Sequence, residues 1–369
     1  MNTPLRRIAI STGGGDAPGL NAVIYAVFSA AMRQGWECLG IRDGFNGILQ
    51  PQHYPHGGVE RLSWERVRGI AHLGGTILGT TNRGDPLRFP TQQADGTFVE
   101  IDRSDEIVAY FEREGIDALV CVGGDGTLAI AHALQQKGLR VVGVPKTIDN
   151  DLDKTFTTFG FDSAVAFASE CIDRLHSTAQ SHERVMVVEV MGRYAGWIAL
   201  HAGIAGGAHA ILIPEIDADL DAVARKIMQR DEQGRRYALV VVAEGAMPLN
   251  GQRVLAAPGQ AGQAERLGGV GESIAHALAQ RTGKDTRVVV LGHLLRGGSP
   301  SALDRVVAKR FGTAAVRALA QGVSGVMVSL AYPNVVHVPL QDVAGRMKRV
   351  PLDGDTVQTA RDLGICLGD

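Results

Sequence analysis

Residues 118–127 read Ala-Leu-Val-Cys-Val-Gly-Gly-Asp-Gly-Thr, an apolar run that passes directly into a glycine-rich turn. Because the run is continuously apolar instead of alternating, it predicts a strand that is covered on both faces, as in a parallel sheet. The turn leads into residues 128–136, whose apolar side chains recur at helical spacing. A strand, a tight turn and a helix in this order form the repeating unit of an α/β fold.

That unit recurs along the chain of 369 residues, which is long enough for two domains. We predict surface loops at residues 54–58, 90–96 and 258–269. The whole pattern predicts an α/β protein of two doubly wound, Rossmann-like domains with mainly parallel sheets and an active site in the cleft between them. Strands are predicted at residues 7–12, 36–42, 118–122, 140–144, 185–190, 210–213, 238–243, 288–291 and 325–330, and further helices at 21–34, 104–114 and 161–176.

Charge and hydrophobicity narrow the class of partner. The formal net charge is −2, whereas a nucleic-acid-binding protein needs a basic face. No apolar run reaches membrane-spanning length, and residues 1–7 do not resemble a signal peptide. We therefore expect a soluble, cytoplasmic protein that binds neither nucleic acid nor membrane.

The turns after two predicted strands have the composition of phosphate-binding loops. Residues 13–21 read Gly-Gly-Gly-Asp-Ala-Pro-Gly-Leu-Asn, and glycines let backbone amides approach phosphate oxygens closely. Residues 123–127 add Asp125 and Thr127, and a carboxylate beside phosphates calls for a bridging Mg²⁺. Each turn also has a purely structural interpretation: a glycine turn between strand and helix for the first, and a helix N-cap at Asp125 for the second.

A third strand end carries two carboxylates. Residues 145–151 read Pro-Lys-Thr-Ile-Asp-Asn-Asp. One carboxylate, Asp149 or Asp151, can accept a proton from an attacking hydroxyl while the other helps to hold a metal. The alternative is a helix cap combined with an Asx turn.

Cationic side chains and one carboxylate lie beside other strand ends. Arginine suits the planar, bidentate recognition of phosphate, although a surface ion pair is its commoner role. Glu244 can hydrogen-bond sugar hydroxyls or pair with a nearby arginine. The cationic residues are Arg184, Arg193, Arg287, His293 and Arg296.

Together these segments closely resemble the phosphofructokinase family. The set of GGDAPGLN, GGDGT and TIDND is specific, and residues 292–305, reading GHLLRGGSPSALDR, strengthen it. The resemblance runs from Gly14 to Arg305. It implies transfer of the terminal phosphoryl group of ATP, with Mg²⁺, to the 1-hydroxyl of fructose 6-phosphate.

The resemblance also implies roles for single residues. Asp149 would take the proton of the sugar hydroxyl, and Arg193 would stabilise the transferring phosphoryl group. Thr147 and Asp151 would support the reacting phosphate and the metal. Asp125 would hold Mg²⁺. Fructose 6-phosphate would be bound by Met191, Gly192, Glu244, His293 and Arg296, with Arg184 and Arg287 reaching its 6-phosphate from the neighbouring subunit of a homodimer or homotetramer. The donor would be bound by Gly14, Gly15, Phe45, Arg83, Gly124, Asp125, Gly126, Thr127 and Lys146.

Two positions bear on the choice between ATP and pyrophosphate as donor. Family members that use ATP mostly have glycine where Gly126 stands, because an aspartate would repel the nucleotide α-phosphate. Pyrophosphate users have lysine where Lys146 stands, so the two positions disagree. We favour ATP, since an open site admits the larger donor and the lysine excludes neither. A further departure is that the family usually has its donor-phosphate arginine where Asn82 stands, and we assign that role to Arg83.

Other classes fit the sequence less well. NAD kinases and lipid kinases share the GGDGT motif but lack the segments at 145–151 and 292–298. A nicotinamide-dependent oxidoreductase needs a GxGxxG turn with an acidic residue about twenty positions on, and the first glycine-rich loop of this chain does not form that pattern cleanly. A non-catalytic sugar-phosphate sensor would not require all three aspartates. For the domains, we predict a donor-binding domain of residues 1–155 plus about 297–345, and a sugar-phosphate-binding domain of about 156–296 plus 346–369.

Overall fold

The computed structural model describes residues 5–93, 95–247, 255–257 and 266–369. The loop predicted at residues 258–269 lies outside these ranges as far as residue 265, and its residues Arg266–Leu267 form a short strand instead of a loop. Within them, no helix has both the length and the apolar character needed to span a bilayer.

The described chain forms sixteen strands. They are β1 (Arg7–Thr12), β2 (Glu37–Ile41), β3 (Val59–Arg61), β4 (Phe89–Gln92), β5 (Phe98–Ile101), β6 (Ala118–Gly123), β7 (Val141–Thr147), β8 (Phe159–Gly160), β9 (Val185–Val190), β10 (Ala210–Leu212), β11 (Ala238–Ala243), β12 (Leu255–Ala257), β13 (Arg266–Leu267), β14 (Thr286–Val290), β15 (Val326–Ala331) and β16 (Asn334–Pro339).

Eleven α-helices connect or cover these strands in the same described ranges. They are α1 (Leu20–Arg33), α2 (Asn46–Leu49), α3 (Trp64–Val67), α4 (Ser104–Glu114), α5 (Asp125–Gln136), α6 (Phe161–His182), α7 (Trp197–Ala205), α8 (Leu220–Glu232), α9 (Val270–Thr282), α10 (Ala302–Ala320) and α11 (Asp355–Asp362). Short 3-10 helices include Gly292–Arg296.

The larger sheet has eight strands in the order β16-β15-β7-β6-β1-β2-β3, with β8 paired to β7. Its central strands are parallel, and only the edge strands β3 and β16 pair antiparallel with their neighbours. The register aligns Ile10 with Val120, and Val120 with Val142. The carboxyl ends of β1, β6 and β7 therefore lie side by side, and this edge holds the turns that the sequence singles out.

The second sheet has four strands in the order β10-β11-β9-β14, all parallel. Both sheets are covered on two faces, as the continuous apolar runs predict. In β1, for example, Ile8 and Ile10 belong to one buried cluster with α1 and α10, whereas Ala9 belongs to the cluster under α4 and α5. This architecture confirms the predicted α/β fold class.

The C-terminal segments join both sheets. Side chains of α10 pack in the core of the larger sheet, and those from Val350 to Leu367 pack in the core of the second sheet. Our division into two domains stays a prediction. One predicted loop needs correction: residues 90–96 begin inside β4, which pairs with β5 in a separate two-stranded hairpin. All four residues of β5 are exposed, so no burial pattern marked the strand.

Candidate active site

A cavity of about 330 Å³ lies at the carboxyl ends of β1, β6 and β7. Parallel strands present their carboxyl ends at one edge, so the three glycine-rich or acidic turns reach the same space. The volume is at the lower end of the range for small-molecule sites. Predicted site residues on its wall are Gly14, Gly15, Phe45, Arg83, Gly124, Asp125, Gly126, Thr127, Lys146, Thr147, Asp149 and Arg296.

The glycines of this cavity serve two different physical purposes. A Cβ at Gly13 would lie 2.9 Å from Thr127 Oγ1, and one at Gly15 would lie 2.8 Å from Arg296 Nη1. Gly13 therefore lets the turns after β1 and β6 pack together, whereas a Cβ at Gly15 would require the end of the Arg296 side chain to shift. At Gly126, in contrast, a Cβ would meet nothing within 4 Å. Gly126 consequently leaves open space on the cavity wall, where a donor can enter.

Lys146 places a cation at the floor of the cavity. The residue is 2% exposed, and its Nζ donates a hydrogen bond to the carbonyl of Gly15. Burial and the charge of Arg296 lower the pKa of Lys146 to about 7, although Asp16 and Asp149 oppose the shift. The side chain is thus poised between its charged and neutral forms near neutral pH.

Asp149 is a half-buried carboxylate of the site. Its backbone N–H donates to Thr147 Oγ1 at 3.1 Å, which fixes the turn after β7. Its Oδ1 is buried and accepts no hydrogen bond from the described residues. Burial raises the pKa of Asp149, and the positive charges of Arg296 and Arg193 partly offset that effect. A buried oxygen without a partner costs free energy, so Oδ1 is suited to receive a group from a ligand.

Asp151 and Asp125 lie near this carboxylate. Burial, followed by the charge of Asp149 and then that of Asp125, raises the pKa of Asp151 to about 6. Asp125 Oδ1 accepts a hydrogen bond of 2.9 Å from the N–H of Gly345. Across the described ranges, no three His, Cys, Asp or Glu side chains come together to hold a metal by themselves. This donor set fits Mg²⁺, which commonly binds through one or two carboxylates together with substrate phosphates and water.

The second sheet contributes charges to the same region. Arg296, in the 3-10 helix after β14, donates from Nη1 to the carbonyl of Asp16 at 3.1 Å and so reaches the turn after β1. Arg193 follows β9, and Glu244 follows β11. Burial raises the pKa of Glu244, and the charge of Arg193 opposes that shift. Because Arg193 and Glu244 both act on Asp149, the turns of the two sheets converge there.

Glu244 does not line the cavity, and three other predicted sugar-binding residues also lie off its wall. Met191 is partly buried and packs on the core of the second sheet. Gly192 follows it, and its carbonyl accepts a hydrogen bond of 3.1 Å from the N–H of Gly245. His293 is exposed in the 3-10 helix that carries Arg296. These residues follow the carboxyl ends of β9 and β14, and their contacts with the sugar stay predictions.

Arg184 and Arg287 lie together at the amino-terminal ends of β9 and β14, opposite the ends that face the cavity. Arg184 Nε donates to Asp285 Oδ2 at 2.6 Å, and Arg287 donates to the other oxygen of the same carboxylate. Arg184 directly precedes β9, whereas Met191 directly follows it. Six strand residues separate the two ends by roughly 20 Å, at about 3.3 Å per residue. Neither arginine therefore shares the cavity of its own chain.

Sequence reasoning missed several residues on the cavity wall. Arg83, which the sequence predicts, lines the cavity together with the missed Asn82, and the contact of Arg83 with a donor stays a prediction. Ile130 was missed although it lies one helical turn beyond Thr127, on the same face of α5, and that spacing was a usable signal. Thr81 and Pro86 also line the cavity, but their sequence environment carried no comparable signal.

Two α/β sheets thus bring glycine-rich turns, a carboxylate with one buried oxygen and several cationic side chains to one place. This combination defines a class of protein, an α/β phosphotransferase.

A sequence profile of the family described as Phosphofructokinase matches residues 7–319. The chain is 50% identical over 369 residues to the ATP-dependent 6-phosphofructokinase of Chloroflexus aurantiacus, covering 100% of this chain and 99% of that one. It is 47% identical over 350 residues to the pyrophosphate–fructose 6-phosphate 1-phosphotransferase of Amycolatopsis mediterranei, covering 94% and 97%. The structure of Pichia pastoris phosphofructokinase in the T-state superposes with a TM-score of 0.78 at 30% identity, covering 99% of this chain and 37% of the yeast chain. The chain belongs to the phosphofructokinase family.

Proposed function

We propose that this chain is a 6-phosphofructokinase that transfers the terminal phosphoryl group of ATP to the 1-hydroxyl of D-fructose 6-phosphate, giving fructose 1,6-bisphosphate in glycolysis. The observation that carries the proposal is the buried, unpartnered Oδ1 of Asp149 at the place where the turns of both sheets meet. Phosphoryl transfer asks the protein mainly to position two reactants and offset charge.

The donor would lie in the cavity of the larger sheet. Backbone amides of the turns at Gly14 and Gly124 would face its phosphates, and the N-terminus of α5 favours an anion. Phe45 and Arg83 would contact the rest of the donor. Mg²⁺, when bound, would offset phosphate charge, with Asp125 and Asp151 as the carboxylates that fit it.

Asp149 would act as the base for the attacking hydroxyl. A pKa raised by burial brings its proton affinity closer to that of a general base acting near neutral pH. Thr147 would hold the turn, and Arg193 would offset charge that develops on the transferring group. Glu244, Arg296 and His293, together with Met191 and Gly192, would bind the sugar phosphate.

A homo-oligomer would complete the sugar site. Arg184 and Arg287 are separated from the cavity of their own chain by the length of a strand, so we propose that they bind the 6-phosphate in the cleft of a neighbouring subunit. Asp285 would hold both guanidinium groups in place. The smallest assembly that provides this arrangement is a homodimer, and a homotetramer would also provide it.

Pyrophosphate is the alternative donor, and one observation favours it. Lys146 places a cation on the cavity floor, where it would neutralise the terminal phosphate of a short donor. The open space at Gly126 favours ATP, because that space is needed only for the inner phosphate of a nucleotide.

The test supplies each donor separately. Purified protein with fructose 6-phosphate and Mg²⁺ receives either ATP or pyrophosphate, and fructose 1,6-bisphosphate is measured by a coupled assay. We expect kcat/KM to be larger with ATP. A larger kcat/KM with pyrophosphate would replace the donor, and no product with either donor would remove the proposed function.

A further inference from the structure

The C-terminal residues 345–350, here called the connector, run beside the turn that carries Asp149 and Asp151. Met347 forms an antiparallel bridge with Leu152, and the backbone N–H of Lys348 donates to the carbonyl of Asp151 at 2.8 Å. In sequence, the connector is nearly two hundred residues away from the turn that carries Asp149 and Asp151. It nevertheless contacts the catalytic turn directly, so its side chains can influence that turn.

Lys348 inserts its ammonium group into this turn. Its Nζ donates to Asn150 Oδ1 and to the carbonyl of Thr155, both at 3.0 Å, and to the carbonyl of Phe156 at 3.2 Å. An ammonium group has three protons, so these acceptors use all of its donor capacity. A lysine with this many acceptors holds a fixed position, unlike an ordinary surface lysine.

The acceptor Asn150 is itself in an unusual conformation. It lies between Asp149 and Asp151, is 5% exposed and has a φ of 53°. Asparagine adopts left-handed backbone more readily than most other residues, so it suits this position, and its side-chain contacts then fix it there. Asn150 Oδ1 accepts from Lys348 and from the N–H of Thr158, at 3.2 Å. These two bonds hold the residue that sets the relative direction of the two carboxylates.

The connector also reaches the second sheet. Trp197 Nε1 donates to the carbonyl of Lys348 at 3.0 Å, and the ammonium group lies 5.5 Å from the centre of the Trp197 ring. Glu215 accepts from the N–H of Val350 at 2.9 Å and from that of Gly196 at 3.1 Å. Gly196 and Trp197 follow Arg193 by three and four residues. The connector therefore links the turn of Asp149 to the loop of Arg193.

We propose that Lys348 is a positioning residue whose ammonium group fixes the turn carrying Asp149 and Asp151, through Asn150, while the backbone of the connector joins that turn to the loop of Arg193. This inference rests on the proposed phosphoryl transfer. Lys348 would not touch either substrate. Its effect on rate comes from the angle at which Asp149 meets the sugar hydroxyl, and a displacement of about 1 Å in such a group costs roughly 10²-fold in rate.

The experiment compares Lys348→Met with the control Lys154→Met. Lys154 lies in the same loop but is exposed, and its side chain forms an ion pair with Asp153 at 3.6 Å. Rates are expressed per folded molecule, after thermal melts confirm folding at the assay temperature. We expect Lys348→Met to lower kcat by about 10²-fold with KM for fructose 6-phosphate changed less than about threefold. Lys154→Met should retain the wild-type kcat, and an unchanged kcat in Lys348→Met would overturn the inference.

A double-mutant comparison tests the route through Asn150. Asn150→Gly removes the acceptor and tolerates the left-handed backbone. If Lys348 acts through Asn150, the combined variant loses much less rate than the product of the two single losses. Fully multiplicative losses would contradict the route. If Lys348→Met does not fold, Lys348→Arg makes the same test, because a planar guanidinium group cannot direct three donors tetrahedrally. We expect Lys348→Arg to lower kcat by about tenfold. A wild-type kcat in this variant would overturn the inference.

Hydrogen–deuterium exchange supplies a readout that does not need turnover. Peptides covering residues 147–158 should exchange faster in Lys348→Met than in the wild type, and Lys154→Met should leave them unchanged. Equal exchange in all three proteins would overturn the inference. If the wild type formed no fructose 1,6-bisphosphate, the proposed function would fail, while this exchange comparison would still decide whether Lys348 holds the turn.

Discussion

Gly126→Asp tests how the cavity selects its donor. Gly126 is the second residue of α5 and lies on the cavity wall, where an added Cβ meets no atom within 4 Å. The aspartate therefore fits without displacing the backbone. It also adds a negative charge in the first turn of a helix, which is worth about 0.3–1 kcal/mol in favour of folding. We expect the melting temperature to be unchanged or slightly raised.

The loss of activity follows from charge repulsion. A carboxylate about 5 Å from a nucleotide phosphate, at an effective dielectric constant of about 20, costs roughly 3 kcal/mol per pair of unit charges. Such a penalty corresponds to about 10²-fold in kcat/KM for ATP. Pyrophosphate has no inner phosphate next to Gly126, so its kcat/KM should fall much less.

The assay measures kcat/KM with each donor in the wild type and in two variants. Gly126→Asn has nearly the same volume as Gly126→Asp but no charge, so it separates repulsion from obstruction. We expect the asparagine variant to keep most of the ATP activity. If the aspartate variant used ATP as well as the wild type does, the electrostatic account of donor choice would be refuted. Equal losses in both variants would make obstruction the cause.

Two further predictions concern cations of the proposed site. Burial and the charge of Arg296 lower the pKa of Lys146 to about 7, so the ammonium form is present below that pH and is lost above it. We therefore expect kcat/KM for ATP to fall roughly fivefold from pH 7 to pH 8, and Lys146→Met to remove that part of the pH profile. An identical pH profile in the variant would exclude Lys146 as its source. Arg184→Ala should raise KM for fructose 6-phosphate by about 10–100-fold while kcat changes little, since a charged hydrogen bond is worth about 1.5–3 kcal/mol. The control is Arg236→Ala, because Arg236 is exposed and forms an ion pair with Glu183. Equal KM values in the two variants would show that Arg184 does not bind the sugar phosphate.

Several elements were predictable because local composition decides them. Strand β9 begins and ends at the predicted residues, since a run of β-branched side chains is buried on both faces. Helix α6 runs to His182, six residues beyond the prediction, because its last turns are polar and carry no apolar repeat. Helix α5 begins at Asp125, three residues early, because the glycine turn itself enters the helix.

The cavity wall was largely predictable from one topological rule. Parallel strands end at a common edge, so turns that are far apart in sequence meet there. Lys348 was beyond prediction, since its partner Asn150 is 198 residues away and its own neighbours form no motif. The antiparallel edge strand β16 was also missed. Its residues are mostly exposed or half-buried, so they lack the apolar run that marks the central strands.

The most direct measurement of the central claim uses Asp149→Asn, which preserves the shape of the side chain and removes its ability to accept a proton from the sugar. Calorimetry should give fructose 6-phosphate affinity within about threefold of the wild type, while the rate of fructose 1,6-bisphosphate formation falls by about 10²–10⁴-fold. A formation rate close to that of the wild type would contradict the role of Asp149 and, with it, the proposed chemistry of this cleft.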